Sequence, residues 1–207
     1  VCWGSNSFQR ASPPPSLVAL QISAGAAHVC LLLSNRSIAC FGDNREGQLR
    51  NPPSSNFVMI SSGSMHSCAL EAVDAEDVTR RRGAVRCWGK NTDGQARAPA
   101  GKFTWVSAGW KHSCAIDEKK QMVCWGSNEF GQASNVSGYF TSVSAGGRHS
   151  CAVKANGGGL CWGRNLEGQA AAPNRRFEAM AAGQDFSCGI DANKRQVICW
   201  GARSTTT

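Results

Sequence analysis

The chain has 207 residues, a formal net charge of +8 at pH 7 and a sequence pI near 9.1. This length allows one domain with a substantial core, and no apolar run approaches the roughly 20 residues that a membrane-spanning helix needs. A basic protein suits acidic partners, but the basic residues here are scattered along the sequence, so we expect no nucleic-acid partner.

One sequence unit recurs along the whole chain. A Cys-aromatic-Gly signature recurs at steps of 38, 47, 37, 37 and 38 residues, and a second signature, Ala/Ser-Gly-x-x-His/Phe-x-Cys, keeps a fixed phase to it. A period of about 37 residues is typical of solenoids, propellers and arrays. The first signature begins at Cys2, Cys40, Cys87, Cys124, Cys161 and Cys199, and the second ends at Cys30, Cys68, Cys114, Cys151 and Cys188. We therefore assign residues 1–203 to a single repeat domain and residues 204–207 to a Thr-rich tail.

The chain begins with half a unit. Residues 1–9 match the later Cys-Trp-Gly segments with one glycine deleted, and a proline-rich connector follows at residues 11–16. Cys2 therefore has no partner within its own unit.

Each complete unit then predicts three short strands, and residues 140–169 show the pattern most clearly. Val143 and Ala145 alternate with serines in the first strand, and a glycine ends it. Asn156-Gly157 predicts a tight turn between the second and third strands, and antiparallel pairing about this turn places Cys151 opposite Cys161. The same arithmetic about the turns at Lys119 and Asn35 sets Cys114 opposite Cys124 and Cys30 opposite Cys40.

The remaining units vary this pattern. An insertion at residues 71–85 lengthens the hairpin of the second complete unit, where Cys68 and Cys87 pair, and in the fifth unit Phe186 replaces the histidine before the Cys188 and Cys199 pair. Short strands at this period, without a helical pattern, favour an all-β propeller over a linear β-solenoid.

The cysteines indicate an oxidising compartment. Eleven are too many for an ordinary cytosolic domain, and ten of them form five facing pairs. A metal is the competing interpretation, but each unit offers two Cys and one His, whereas a closed zinc site needs four ligands. We therefore expect five disulfides, no metal and no cofactor.

The stretch Cys124-Trp125-Gly126-Ser127-Asn128-Glu129-Phe130-Gly131-Gln132, with its Val-Ser-Ala-Gly-x-x-His-Ser-Cys-Ala partner, resembles the regulator of chromosome condensation repeat superfamily. The paired cysteines are similar to the extracellular branch, which includes the crinkly receptor kinase ectodomains. The resemblance implies a seven-bladed propeller that binds other macromolecules. Five complete units and one half do not close such a ring, so we expect a piece of a longer protein, with a five- or six-bladed ring as the alternative.

Candidate sites lie where the units disagree. The periodic tryptophans predict packing between units, whereas Trp110 falls at a turn position that the repeat does not reserve for an aromatic. Equivalent turns gather on one face of a propeller, which gives a candidate binding surface. Its residues are Trp110, Lys111, Met65, Arg148 and Asp185. Asn35 and Asn135 are N-glycosylation acceptors if the chain is secreted.

No phosphate-binding loop or nucleophile elbow is present in the sequence, so we expect no enzyme activity. The leading hypothesis is a non-catalytic, extracellular or cell-surface interaction domain, either a receptor ectodomain or a structural component of a surface, wall or flagellar assembly. Its partner would be another protein or an extracellular polymer, with self-assembly or glycan contact as further possibilities. The alternatives are an intracellular guanine-nucleotide exchange factor-like regulator of a small GTPase and a carbohydrate-binding propeller.

Overall fold

A computed structural model describes Cys2 and residues 4–14, 16–50, 56–72 and 82–202. These residues form five three-stranded antiparallel sheets, one for each complete repeat, preceded by a short 3-10 helix at Ser7–Gln9. The strands of the first two repeats are β1 (Ala19–Ala24), β2 (His28–Leu33), β3 (Ile38–Gly42), β4 (Phe57–Ser62), β5 (His66–Glu71) and β6 (Val85–Gly89). The third and fourth repeats contain β7 (Phe103–Ala108), β8 (His112–Asp117), β9 (Met122–Gly126), β10 (Phe140–Ala145), β11 (His149–Lys154) and β12 (Gly159–Gly163). The fifth repeat contains β13 (Phe177–Ala182), β14 (Phe186–Asp191) and β15 (Val197–Gly201).

The strand register is the one that the cysteine spacing predicts. In each sheet the second strand lies in the middle, and its cysteine is directly opposite the cysteine of the third strand. All five pairs form disulfides, with Cα atoms 4.0 to 4.1 Å apart. Cys2 is a free cysteine.

The core lies between consecutive sheets. At the junction of the first and second repeats, Cys30, Leu32 and Ile38 of one sheet pack against Phe57 and Ile60 of the next. In the first three repeats the disulfide is therefore part of the apolar core that joins the repeat to the following one. Burial of this kind supplies the main stabilising free energy of such a fold.

The periodic tryptophans hold the repeats together, as predicted. In each case the indole Nε1–H donates to the backbone carbonyl of the glutamine that ends the preceding repeat, at 2.9 to 3.0 Å. The pairs are Trp88 with Gln48, Trp125 with Gln95, Trp162 with Gln132, and Trp200 with Gln169. Trp3 lies outside the described residues.

The five sheets share one axis. Neighbouring first strands, from β1 to β13, contact one another in order, and the turns at their ends line a single cavity of about 400 Å³. A linear solenoid would not bring the first and fifth turns to one cavity, so the arrangement is propeller-like. The tip of the predicted insertion, at residues 73–81, and the Thr-rich tail lie outside the described residues. No helix within the described part of the chain is long and apolar enough to cross a membrane.

Candidate functional site: the turn face

The turns between the first and second strands form one surface, which we call the turn face. It consists of residues 25–27, 63–65, 109–111, 146–148 and 183–185. Each turn begins with a glycine whose backbone N–H donates to the carbonyl at the start of the second strand, for example Gly109 to His112 at 2.8 Å. A Cβ atom on Gly109 would lie 2.7 Å from the His112 ring, so only glycine fits at this position.

Backbone hydrogen bonds connect each turn to the next. Ala26 N–H donates to the Ser64 carbonyl at 3.3 Å, and the Trp110 N–H donates to the Gly146 carbonyl at 3.0 Å. In the same way, the Ser64 N–H donates to the Gly109 carbonyl and the Gly147 N–H donates to the Gly183 carbonyl. The cavity wall is therefore rigid backbone that displays the variable side chains around its rim.

The structure brings two of the predicted binding residues together. The Arg148 guanidinium lies 5.4 Å from the centre of the Trp110 ring and 5.3 Å from the centre of the Phe130 ring. Trp110 is 38% exposed, and a cation placed over an aromatic face is an attractive arrangement. Sequence reasoning missed Phe130, because the comparison of repeats was applied only to the turns between the first two strands. The signal was present, since the other repeats have Glu46, Asp93 and Glu167 at this position.

The other three predicted residues lie on the same surface without joining this cluster. Asp185 accepts a hydrogen bond from Arg164 at 2.6 Å, an ion pair that the sequence did not indicate. Lys111 is exposed and Met65 is half-buried at the equivalent turn position of their repeats. Met65 and Lys111 both accept a backbone hydrogen bond from the loop that follows the third strand, at 2.8 Å.

Four buried histidines lie directly beneath the turn face. His28, His66, His112 and His149 are completely buried, and each Nε2 lies 2.7 to 2.8 Å from the hydroxyl of a serine in the next repeat. The hydroxyl of Ser150, which faces His112, donates its only proton to the Gln132 carbonyl at 3.0 Å. The histidine Nε2 must therefore carry the proton and donate it to the serine.

This tautomer leaves the histidine Nδ1 as an acceptor, and it has no hydrogen-bond partner in any of the four rings. Burial lowers the pKa of His28, His112 and His149 to about 4. Burial lowers that of His66 to about 3, with a further contribution from the neighbouring rings of His112 and His28. A second proton would place a buried cation with no acceptor at Nδ1, so these rings stay neutral.

The histidines are scaffold, since each is enclosed by its own turn glycine and by a serine of the next repeat. Among the described residues, no group of three or more His, Cys, Asp or Glu side chains is placed to hold a metal ion. The chemistry available at the turn face is recognition by a tryptophan, an arginine and backbone amides.

The two predicted glycosylation acceptors are exposed. Asn35 lies at the hairpin tip of the first repeat, where its Oδ1 accepts hydrogen bonds from the Ser37 hydroxyl at 2.7 Å and the Ser37 N–H at 3.1 Å. Asn135 lies in the segment before β10. Neither residue belongs to the turn face.

A scan against family models matches the regulator of chromosome condensation (RCC1) repeat over residues 20–48, 106–132 and 140–169. Three of the five complete repeats therefore match the regulator of chromosome condensation repeat. The matched stretches contain the Gly-x-x-His-x-Cys turn and the Cys-aromatic-Gly strand of the first, third and fourth repeats. A comparison with curated protein sequences gives no match.

Solved structures with this fold include extracellular and intracellular proteins. The entire ectodomain of the Physcomitrella patens receptor kinase CR4 is 29% identical, with a TM-score of 0.77, and the match covers 94% of this chain and 55% of that one. The CRINKLY WD40 ectodomain of the Arabidopsis thaliana receptor kinase ACR4 is 24% identical, with a TM-score of 0.77 and coverages of 92% and 68%. Prp20p from Saccharomyces cerevisiae, whose structure was described with its binding to Gsp1p and histones, is 17% identical, with a TM-score of 0.72 and coverages of 88% and 58%. The RCC1 repeats here therefore span little more than half of the moss ectodomain.

Proposed function

We propose that this chain is a non-catalytic, extracellular interaction domain that binds another protein through its turn face. The observation that carries the proposal is the cluster of Trp110, Arg148 and Phe130 on a rigid rim of turns, next to a cavity of about 400 Å³. Tryptophan and arginine are the residues that most often dominate the binding free energy of protein interfaces. The likeness to a moss receptor ectodomain and the five disulfides support an extracellular location.

The location is tested by counting free thiols. Ten of the eleven cysteines are paired. Thiol titration of the protein after denaturation without a reducing agent should therefore find one thiol, that of Cys2. Ten or eleven thiols in protein isolated from its own cells under alkylating conditions would contradict an extracellular location. That result would favour the intracellular, exchange factor-like alternative.

The binding surface is tested by photo-crosslinking on intact cells of the source organism. A photoreactive phenylalanine analogue at Trp110 should crosslink a discrete protein partner, because this side chain stands at the rim of the cavity. The matched control is the same analogue at Tyr139, an aromatic residue that is 64% exposed at the opposite end of the sheets. Equal crosslinking from both positions would contradict the turn face as the binding surface, and a glycan that binds wild type but not the Trp110→Ala variant would favour the carbohydrate-binding alternative.

We further propose that the five repeats form part of a seven-bladed ring. Cys2 is free, whereas the equivalent cysteine in each of the five complete repeats forms a disulfide. The partner in those disulfides lies 10, 11 or 19 residues earlier in the sequence. A further repeat packed against β1 would bring such a cysteine to Cys2. The exposed apolar face of the first sheet, where Ile22 is 58% exposed, supports the same arrangement.

A further inference from the structure

The opposite end of the sheets concentrates the positive charge of the molecule. We call this end the hairpin-tip face. Its described residues carry ten basic and five acidic side chains, whereas the turn face and the loops beside it, at residues 43–50, 90–97, 127–134 and 164–171, carry seven basic and six acidic ones. The hairpin-tip face consists of residues 17–18, 33–37, 56, 71–72, 82–84, 100–102, 117–121, 137–139, 154–158, 174–178 and 191–196. The basic residues look scattered in the sequence, but the fold collects them.

Backbone hydrogen bonds fix the positions of these tips. The first residue of each later repeat donates its N–H to the hairpin tip before it, as Phe57 does to the Arg36 carbonyl at 3.0 Å and Phe140 to the Lys120 carbonyl at 2.8 Å. The Phe177 N–H donates to the Gly157 carbonyl in the same way. Among the described residues, the tips of the first, third and fourth repeats are therefore each held by the repeat that follows.

One position in these hairpins is occupied by cations despite its backbone conformation. Arg36, Lys120 and Arg195 lie at equivalent turn positions with φ values of 65°, 63° and 54°. Gly157 holds this position in the fourth repeat, with a φ of 87°. Glycine adopts the left-handed region without strain, whereas side chains with a Cβ are disfavoured there. Three repeats thus keep a long cation where the backbone favours glycine, and strain of this kind is typical of functional positions.

A polar cleft lies between the tips of the fourth and fifth repeats. It has a volume of about 550 Å³. Its lining includes Asn156, Asn174 and Asn193, the cations Arg175, Arg176 and Lys194, and Asp191, whose carboxylate is paired with Arg175. Amide groups can bond sugar hydroxyls, and the cations can bond carboxylate or sulfate groups. The one aromatic side chain exposed among the described residues of this face is Tyr139, whereas proteins that bind single-stranded nucleic acid use several aromatic platforms.

We propose that the hairpin-tip face binds an acidic polysaccharide, whose anionic groups contact Arg36, Lys120 and Arg195 at the tips of the first, third and fifth repeats. Arg195 also pairs with Glu178 at 3.4 Å, and its side chain remains 81% exposed. The choice of a polysaccharide over a nucleic acid rests on the extracellular location in the proposed function, and on the amide-lined cleft. The surface lies at the opposite end of the sheets from the turn face, so both surfaces can be occupied at once.

The test measures binding of the whole chain to heparin, which is sulfated, and to polygalacturonate, which carries carboxylates. Neutral dextran and duplex DNA serve as comparisons at the same ionic strength. The triple variant Arg36→Gly, Lys120→Gly, Arg195→Gly should raise the Kd for the acidic polysaccharide about tenfold and make its salt dependence shallower, because long-range attraction between charges is screened by salt. Its thermal midpoint should not fall, because glycine relieves the left-handed backbone.

The matched control removes the same charge elsewhere, in the variant Arg50→Ala, Lys90→Ala, Arg97→Ala, and its Kd should change less than about twofold. The proposal is overturned if neither polysaccharide binds, if both triple variants weaken binding equally, or if DNA binds more tightly than both polysaccharides. Binding to only one of heparin and polygalacturonate would support it and identify the anion. Because free-thiol counting and crosslinking from Trp110 do not depend on this face, failure here leaves the proposed function intact.

Discussion

Each buried histidine is held in one protonation state by the residues around it. The serine hydroxyl that accepts from His112 Nε2 has already used its proton on the Gln132 carbonyl, which the Trp162 indole also contacts. Adding a proton to the ring would therefore create a buried charge without a partner, which costs several kcal/mol in a protein interior. The neutral ring links two repeats by one hydrogen bond and fills the space above its turn glycine.

These histidines make the stability of the fold depend on pH in a defined range. An unfolded histidine titrates near pH 6.5, whereas the buried rings have pKa values of about 4 or, for His66, about 3. Between these values the unfolded chain binds more protons than the folded one, so stability is complete above pH 6.5 and falls as the pH decreases toward 4. We expect each histidine to contribute a slope of up to about 1 kcal/mol per pH unit. The free energy of unfolding, measured by urea denaturation at several pH values from about 7.5 to about 4.5, gives this slope.

The control for this prediction comes from the chain itself. The fifth repeat has Phe186 in place of the histidine, and the first repeat has Val29 in place of the serine. In the double variant His112→Phe, Ser150→Val both partners of one buried hydrogen bond are replaced, which leaves no unsatisfied donor. The variant should lose about a quarter of the pH slope, and an unchanged slope would show that the histidines do not cause it. The carboxyl groups of Asp43 and Asp191 act at lower pH, because hydrogen bonds, chiefly from the Arg45 side chain and the Lys194 backbone, lower their pKa values.

At the level of strands and turns, the sequence predicts the sheet well because two patterns agree. The tight turn at Asn156-Gly157 and the ten-residue spacing of Cys151 and Cys161 require the same register, and the structure has it. A disulfide cannot form unless the two cysteines face each other, so its spacing acts as a geometric constraint on the hairpin. Alternation of apolar residues alone would not distinguish this register from one shifted by one residue.

The relation between neighbouring repeats could not be predicted in the same way. No spacing in the sequence shows that Arg148 reaches Trp110 of the preceding repeat and Phe130 of the intervening loop, since the three belong to different elements. The concentration of cations on the hairpin tips was missed for the same reason. Charges that are far apart along the chain come to one end of the molecule only when the sheets surround a common axis. The spacing of residues within a repeat predicts the structure of that repeat. The contacts between side chains of different repeats depend on how the sheets pack against one another, which the spacing does not show.

At the scale of the whole molecule, the first and last sheets each have an apolar face that no other described repeat covers. Ile22 is 58% exposed, although the equivalent Ile60 is 1% exposed inside the first junction. Val197 is 69% exposed, and its equivalent, Ile38, is 7% exposed. The two free faces are therefore the two halves of a junction that recurs four times within the chain. Complementary faces at opposite ends of one molecule permit head-to-tail association.

We therefore expect the 207-residue chain to self-associate. Its average molar mass, measured by sedimentation equilibrium, should rise with protein concentration. Ile22→Lys and Val197→Lys each place a charge on one free face, and each variant alone should be monomeric, since a buried unpaired charge opposes docking. A mixture of the two variants should form a one-to-one complex, because each retains the face that the other lacks.

Leu166→Lys is the matched control: Leu166 is 78% exposed in a loop away from both faces, so this change should leave association unaltered. A wild-type chain that stays monomeric, or a mixture that forms no complex, would show that exposed apolar faces of this composition do not suffice to join repeats across separate chains. Covalent continuity between repeats would then be what allows a junction to form, through the high effective concentration that it imposes.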